Sequence, residues 1–349
     1  METHYYKLSA ENPSHKVIEV AGALLRQGGL VAFPTETVYG LGANGYSPEA
    51  VAAIYAAKGR PSDNPLILHI ASLAMLDELV TTVPVAAEKA LQAFWPGPLT
   101  IIAPKSSRVP LAVTGGLDTV AVRYPSSVIA RELIAAANVP IAAPSANRSG
   151  KPSPTTAQAV LEDLDGRIDM IIDGGPCDIG LESTVLDCTG DIPVILRPGG
   201  ITYEMLVQEL GQVEVDPGLS LGSQAAPKAP GMKYRHYAPT APLILFEGPE
   251  QAVQTAMQER VAQETKQGRR LGLLICEEWR SLFQMVESVE TFGSLLDLDA
   301  VAGQIFGALR SFDHESVDLI LAQGIPESGI GRAVMNRLRK AAGQQIVKV

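Results

Sequence analysis

The chain is predicted to be an α/β protein with a mixed, twisted sheet in its first part and a smaller parallel sheet after it. Three observations predict this. Apolar runs of strand length alternate irregularly with helical patterns as far as residue 216. A segment rich in proline and glycine then covers residues 217–242, and beyond it strands and helices alternate regularly. The length of 349 residues also fits two domains, at about 150 residues each. The expected organisation is therefore a first domain over 1–216, a linker over 217–242 and a second domain over 243–349.

The elements follow from local signals. Leu30–Phe33 is a short apolar run closed by Pro34, which reads as a buried strand. Ser47-Pro48-Glu49 is a helix start, with a hydroxyl cap, proline at the first helical position and an acid in the first turn. That helix runs to about Lys58 and is stopped by Pro61. Strand-like runs follow at Leu66–Ile70, Leu99–Ala103, Thr119–Val122, Pro140–Ala143, Met170–Ile172, Thr184–Leu186 and Val194–Leu196. Helical patterns fall between some of them, at Ser126–Ala137 and Thr155–Leu164. This order suits a mixed sheet better than a simple repeat.

The linker carries eight prolines and glycines with few aliphatics, from Pro217 to Pro242. It also holds Met232-Lys233-Tyr234-Arg235-His236-Tyr237, three rings and two cations in six residues, more than a passive spacer needs. In the tail, Leu243–Phe246, Leu271–Cys276, Ser288–Phe292 and Val317–Ala322 read as strands. Gln251–Lys266, Asp299–Phe312 and Ser328–Ala342 read as helices, so right-handed crossovers are expected. No Gly-x-Gly-x-x-Gly follows the first of these strands.

Composition narrows the function. The hydrophobic share is 46% and the charged share 19%, as in a soluble globular chain. No apolar run approaches the roughly 18 residues of a membrane span. Met1–Ala10 lacks the basic-then-apolar pattern of a signal peptide, and the three cysteines (Cys177, Cys188, Cys276) suggest neither a disulfide framework nor a zinc ribbon. A cytoplasmic location is the expectation. The net charge of −10 resides in residues 1–216, with 14 Lys and Arg against 24 Asp and Glu. Such a surface is a poor one for a long phosphate backbone, although a few converging cations can still hold a small anion.

The Walker A, His-Glu-x-x-His, Gly-x-Ser-x-Gly and kinase patterns are all missing. Any chemistry must come from positioned cations, hydroxyls and backbone groups. These gather just beyond strand ends, where α/β folds build ligand clefts. Pro34–Gly42 is either such a cleft loop or a turn with capping threonines. Lys58-Gly59-Arg60-Pro61-Ser62-Asp63-Asn64-Pro65 is a rigid basic loop suited to a polyphosphate, although a lysine at a helix end is favoured by the macrodipole alone. Arg123 ends one strand, and Pro144–Ser153 is a loop of hydroxyls and bases. Glu182-Ser183-Thr184 opens a strand and Arg197-Pro198-Gly199-Gly200 closes another. His69 lies inside a strand, and a lone strand histidine is more often a structural group than a ligand contact.

Taken in order, Pro34–Gly42, Lys58–Leu66, Trp95–Thr100, Pro144–Pro154, Glu182–Val185 and Arg197–Gly200 resemble the threonylcarbamoyl-AMP synthase family in its long, Sua5 form. The short YrdC form resembles residues up to about 216, while Pro230–Pro239 and the tail match the long form. Lys58/Arg60 followed by Ser145/Asn147 is the most specific part. Ala229 departs from the family's usual serine, at a position with no catalytic role.

The resemblance implies a YrdC-like twisted sheet with a deep cavity and a small Rossmann-like second domain. It implies condensation of ATP, L-threonine and bicarbonate to threonylcarbamoyl-AMP and pyrophosphate, the first step of N6-threonylcarbamoyladenosine formation in tRNA. Arg60, Asn64, Thr119, Ala143, Ser145, Ser153, Arg197 and Tyr234 would contact ATP, with Lys58 on the phosphates. Lys58 and Arg60 would be the catalytic cations. Thr35, His69, Arg123 and Ser183 would hold threonine. Tyr234, with Tyr237 as a weaker candidate, would cover the site as a lid. Mg2+ would arrive with ATP rather than in a protein cage. The product would pass to a separate transfer machinery, without direct tRNA binding. The rival readings are a double-stranded RNA-binding module, which the acidic first domain disfavours, and a carbamoyl transferase, whose extra modules are missing here.

Overall fold

The computed structural model describes residues 2–221, 236–343 and 345–349. The chain divides into two compact units, Met1–Ser149 with Ser153–Tyr234, and Gly150–Pro152 with Arg235–Val349. No helix among the described residues is long and apolar enough to cross a membrane.

The first unit is built on an 11-stranded mixed sheet. Its strands are β1 (His4–Lys7), β2 (Val31–Phe33), β3 (Gly40–Asn44), β4 (Ile67–His69), β5 (Leu99–Pro104), β6 (Thr119–Arg123), β7 (Ile141–Ala142), β8 (Met170–Asp173), β9 (Thr184–Asp187), β10 (Val194–Arg197) and β11 (Glu214–Val215). Across the sheet the order is β1-β8-β2-β3-β7-β4-β6-β5-β9-β10-β11. The apolar runs of the sequence all became strands. Strand β3 was not expected, because Pro34–Gly42 reads as a loop. It forms because Leu41 and Ala43 alternate into the core, while a Cβ at Gly42 would meet Ile141 and Phe33 at 2.8 Å. Only glycine lets the neighbouring strands close up there.

One sheet face lies under the main core, where Leu68, Val120, Val122, Ile101 and Leu186 pack with helix residues such as Val51, Ile54 and Ala90. The opposite face is covered at one end by the helices His15–Arg26 and Val128–Ala137, through Ile18, Leu25, Leu133 and Ile134. Farther along that face the cluster Ile67, Ile102, Ala121, Val185 and Leu196 consists of strand residues alone. Polar side chains of the same strands stand beside it.

The helix Pro48–Lys58 starts and stops as its sequence dictates. The Ser47 hydroxyl accepts from the Ala50 N–H at 3.1 Å, and Gly59 leaves the helix in the left-handed region at φ 64°. Lys58 is thereby fixed on the last turn, buried to 2% exposure.

In the second unit, β12 (Leu243–Glu247), β13 (Leu271–Ile275), β14 (Ser288–Thr291), β15 (Leu319–Gln323) and β16 (Ile346–Lys348) form a parallel sheet in the order β14-β13-β15-β12-β16. The helices Glu250–Lys266, Leu298–Ser311 and Gly331–Ala342 are its crossovers. Strand β16 escaped the sequence reading because it is a short edge strand with a weak apolar signal.

Candidate active site

Register assembles the site before any side chain is considered. His69 on β4 lies opposite Arg123 on β6, and Arg123 lies opposite Thr100 on β5. Thr100 in turn faces Val185 on β9, and Val185 faces Arg197 on β10. Paired residues share a sheet face, so this row puts two guanidiniums, an imidazole and a hydroxyl on one surface. Arg197 joins it through a register shift between Ile195 and Arg197. Without that irregularity, strict alternation would send Arg197 to the other face.

Arg123 is the centre of the first group. Its guanidinium donates to Glu36 Oε1 at 2.6 Å, to Thr37 Oγ1 at 2.8 Å and to the Gly97 carbonyl at 3.4 Å. Both members of the Arg123–Glu36 ion pair are buried. Three of the five guanidinium donors are used in this way, and two remain. Thr37 Oγ1 also meets Thr35 Oγ1 at 2.8 Å, and the Thr35 hydroxyl donates to the Val38 carbonyl at 2.6 Å. The Thr35 side chain therefore closes the β2–β3 loop, like the capping threonine of a turn. Burial pushes the Glu36 carboxyl upward, but the Arg123 guanidinium and its hydrogen bond outweigh that and hold it below its ordinary range.

His69 is buried beside this pair, edge-on to Phe33 at 6.4 Å. Burial, and then the positive charge of Arg123, pull its pKa down to about 3. It is a neutral imidazole in the folded protein. The unfolded chain protonates first on acidification, so the stability tied to neutral His69 is intact above about pH 6.5 and lost as pH falls toward 3. Between pH 7 and pH 4 the loss from this group is expected to be about 3 kcal/mol. Denaturant midpoints of the wild type and of His69→Gln at both pH values check this. The variant should lose less stability on acidification. The depressed Glu36 adds a second loss below its ordinary carboxylate range.

A second group surrounds Ser183. Its hydroxyl lies 2.7 Å from Thr100 Oγ1 and accepts from Arg197 Nη2 at 3.1 Å. Arg197 also donates through Nε and Nη2 to the Ser183 carbonyl, at 3.1 and 3.0 Å. Next in sequence, Glu182 accepts from the Ser153 hydroxyl at 2.6 Å. The third group is built on Lys58, whose ammonium donates to the Ser145 and Asn147 carbonyls. Ser145 Oγ bonds Asn147 Oδ1 at 2.5 Å, and Ser145 bridges Gly40 at the start of β3. The helix end and the Ser145 loop are thus one piece.

Arg60 turns back on its own loop, donating to the Asn64 and Pro65 carbonyls at 3.4 and 3.2 Å. Asn64 is different. Its residue is 1% exposed, yet among the described residues both amide atoms, Oδ1 and Nδ2, are buried without a hydrogen-bond partner. Such a group costs about 1–3 kcal/mol until something binds it. The Ala143 N–H is held by the Ile67 carbonyl at 3.0 Å. Thr119 stands at the far end of β6, four residues from Arg123, and its hydroxyl makes no hydrogen bond to the other candidates among the described residues.

The structure draws in residues to which the sequence assigned no role: Glu36, Thr37, Thr100, Asn147 and Glu182. All but Thr100, a polar position in the strand-like run Leu99–Ala103, lie in the polar segments already picked out, and each is marked by a bond to a cation or hydroxyl already chosen. Tyr234 lies outside the described residues. Tyr237, expected as a weaker lid residue, is instead committed to the second unit's core. Its ring is 3% exposed and stacks on Phe306 at 5.2 Å, with Arg337 over it at 5.6 Å. No group of three or more His, Cys, Asp or Glu side chains placed to hold a metal ion occurs among the described residues.

Comparison with known proteins places the chain in a family. Residues 23–199 match the Sua5/YciO/YrdC family model, described as telomere recombination. Residues 201–343 match the model of the threonylcarbamoyl-AMP synthase C-terminal domain. The chain is 50% identical to the threonylcarbamoyl-AMP synthase of Bacillus subtilis strain 168, over 98% of its own length and 96% of that protein. It is also 50% identical to the enzyme of the same name from Pyrococcus abyssi, over 95% and 96%. A crystal structure of P. abyssi Sua5 complexed with L-threonine superimposes with a TM-score of 0.94 at 48% identity, covering 99% of this chain and all of that one. The chain also resembles YciO of Escherichia coli, with a TM-score of 0.52 at 26% identity over 57% of this chain and 96% of that one. The chain belongs to the threonylcarbamoyl-AMP synthase family, in its two-domain Sua5 form.

Proposed function

We propose that this protein is an L-threonylcarbamoyladenylate synthase, a nucleotidyltransferase that makes the activated intermediate for threonylcarbamoylation of adenosine in tRNA. The observation that carries the reading is the row of His69, Arg123, Thr100 and Arg197 on one sheet face, with Ser183 bonded into it. Arg123 keeps two donors for the threonine carboxylate, and Ser183 offers a hydroxyl toward the threonine side chain, beside Thr35 and neutral His69. Lys58, Arg60, Arg197 and Ser145 serve the triphosphate, with Asn64, Thr119, Ala143 and Ser153 around the rest of the nucleotide. The orphaned amide of Asn64 fits a ligand with both donor and acceptor edges, such as adenine.

The reaction needs threonine's amine and bicarbonate to form a carbamate with loss of water, and the carbamate oxygen then attacks the α-phosphorus and expels pyrophosphate. No covalent enzyme intermediate is required. Fixed cations and dipoles aimed at the developing phosphoryl charge supply the rate, and a site closed to water protects the carbamate and the mixed anhydride. Mg2+ enters as the ATP complex, neutralising phosphate charge. The product then passes to a separate transfer machinery in the cytoplasm, without tRNA binding to this chain.

The test is incubation with ATP, Mg2+, threonine and bicarbonate, omitting each in turn, with pyrophosphate and the adenylate followed by mass. Pyrophosphate release that ignores threonine or bicarbonate would overturn the reading. Substrate choice is a second check. Buried hydroxyl partners left unpaired should make 2-aminobutyrate a far poorer substrate than threonine, whereas serine should lose only about 1–3 kcal/mol in kcat/KM. If 2-aminobutyrate reacts as well as serine, Thr35 and Ser183 do not surround the side chain.

A further inference from the structure

We propose that Glu36 is a positioning residue that gives the amino-acid pocket its selectivity: it aims the Arg123 guanidinium and offsets its charge, so that the pocket takes an amino-acid carboxylate and rejects multiply charged inorganic anions. The inference rests on the reading of Arg123 as the carboxylate receptor. It extends that reading to a residue with no assigned role.

The geometry separates two tasks. Glu36 Oε1 takes Nη2 at 2.6 Å, and Oε2 lies 3.4 Å from the Ser127 N–H, ahead of the helix Val128–Ala137. One carboxylate thus ties the loop before β3, the end of β6 and the start of a helix. Thr37 Oγ1 takes Nη1 at 2.8 Å, so the guanidinium plane is held from two sides. Aiming is shared by Glu36 and Thr37. Charge is not, because Thr37 is neutral.

The charge matters because of what else occupies the site. Triphosphate and product pyrophosphate carry several negative charges, and a buried guanidinium without a counter-charge would attract them strongly. With Glu36 at 6% exposure and held ionised, the Arg123–Glu36 pair is nearly neutral as a unit. A threonine zwitterion, itself neutral, loses little on meeting such a pair. A divalent anion gains little. The remaining guanidinium donors then select by fork geometry instead of by net charge.

Three variants distinguish the tasks, each assayed by pyrophosphate release with threonine varied and inorganic sulfate as the anion probe. Glu36→Gln keeps an oxygen acceptor for Nη2 and removes the charge. Sulfate should become a competitor of threonine, its inhibition constant falling about tenfold or more relative to wild type, as expected for one uncompensated buried charge. Thr37→Val keeps the charge and removes one acceptor, so the KM for threonine should rise about tenfold without new sulfate inhibition. Glu36→Ala should show both effects. Should it fail to fold, as loss of one partner of a buried pair can cause, the other two variants decide the matter. Unchanged sulfate inhibition in a folded Glu36→Gln protein overturns the proposal, as does a Thr37→Val protein that gains the same inhibition. A wild-type protein that releases no threonine-dependent pyrophosphate would instead refute the function on which the proposal stands.

Discussion

Arg60→Ala should lower the turnover of pyrophosphate release by about 100-fold or more, while the denaturant midpoint of the protein stays near that of wild type. The expected pattern follows from where Arg60 sits. It lies one residue beyond Gly59, in a loop whose backbone is set by the left-handed glycine and by Pro61 and Pro65. Its side chain is partly exposed and touches carbonyls of its own loop, so removing it opens no core cavity. A cation that stabilises charge developing on the transferred phosphoryl group acts mainly in the transition state, and kcat should fall more than the KM for ATP rises. Near-normal turnover in a folded Arg60→Ala protein would remove this residue from the catalytic set. Lys58 does not allow so clean a test, because its ammonium also holds the Ser145 and Asn147 carbonyls.

The cations of the site were legible because they break a pattern. Arg123 and Arg197 stand where apolar strands end, and Lys58 and Arg60 flank a helix-ending glycine. Their partners were not legible. Glu36 and Thr37 read equally well as turn residues, and Thr100 reads as one polar position in an apolar strand. What makes them part of the site is cross-strand register, which one chain's periodicity cannot supply. The same holds for the irregularity that turns Arg197 toward Ser183. Strand β3 was hidden for another reason. Its Gly-Leu-Gly start has turn composition, and only the close approach of Phe33 and Ile141 explains the glycine. Tyr237 illustrates the opposite error. A ring in a proline-rich segment suggests a ligand contact, but its pairing with Phe306 and Arg337 depends on helices some 70 to 100 residues away in sequence.

Gly199→Ala should cost the protein both stability and activity, although it adds a single methyl at a residue that bears no functional group. A Cβ at this position would lie 2.3 Å from the Glu182 carbonyl oxygen, 2.4 Å from the Thr184 nitrogen and 2.5 Å from the Ser183 carbonyl carbon. All three are backbone atoms, so no rotamer change relieves the clash. The turn after β10 must move away from the start of β9. That displacement separates Arg197 from the Ser183 carbonyl and hydroxyl, now 3.0–3.1 Å apart, and disturbs the 2.7 Å contact of Ser183 with Thr100. Overpacking of this kind costs about 3 kcal/mol in stability. Misplacement of a binding residue by about 1 Å can cost a further 100-fold in rate. Both losses should appear together, as a lowered denaturant midpoint and reduced kcat/KM for threonine. Gly307→Ala is the matched control, since a Cβ there meets nothing within 4 Å and lies in the helix Leu298–Ser311. It should be neutral or stabilising by up to about 1 kcal/mol. If Gly199→Ala is as well tolerated as Gly307→Ala, the close packing of the β10 turn on β9 is wrong, and with it the placement of Arg197 over Ser183.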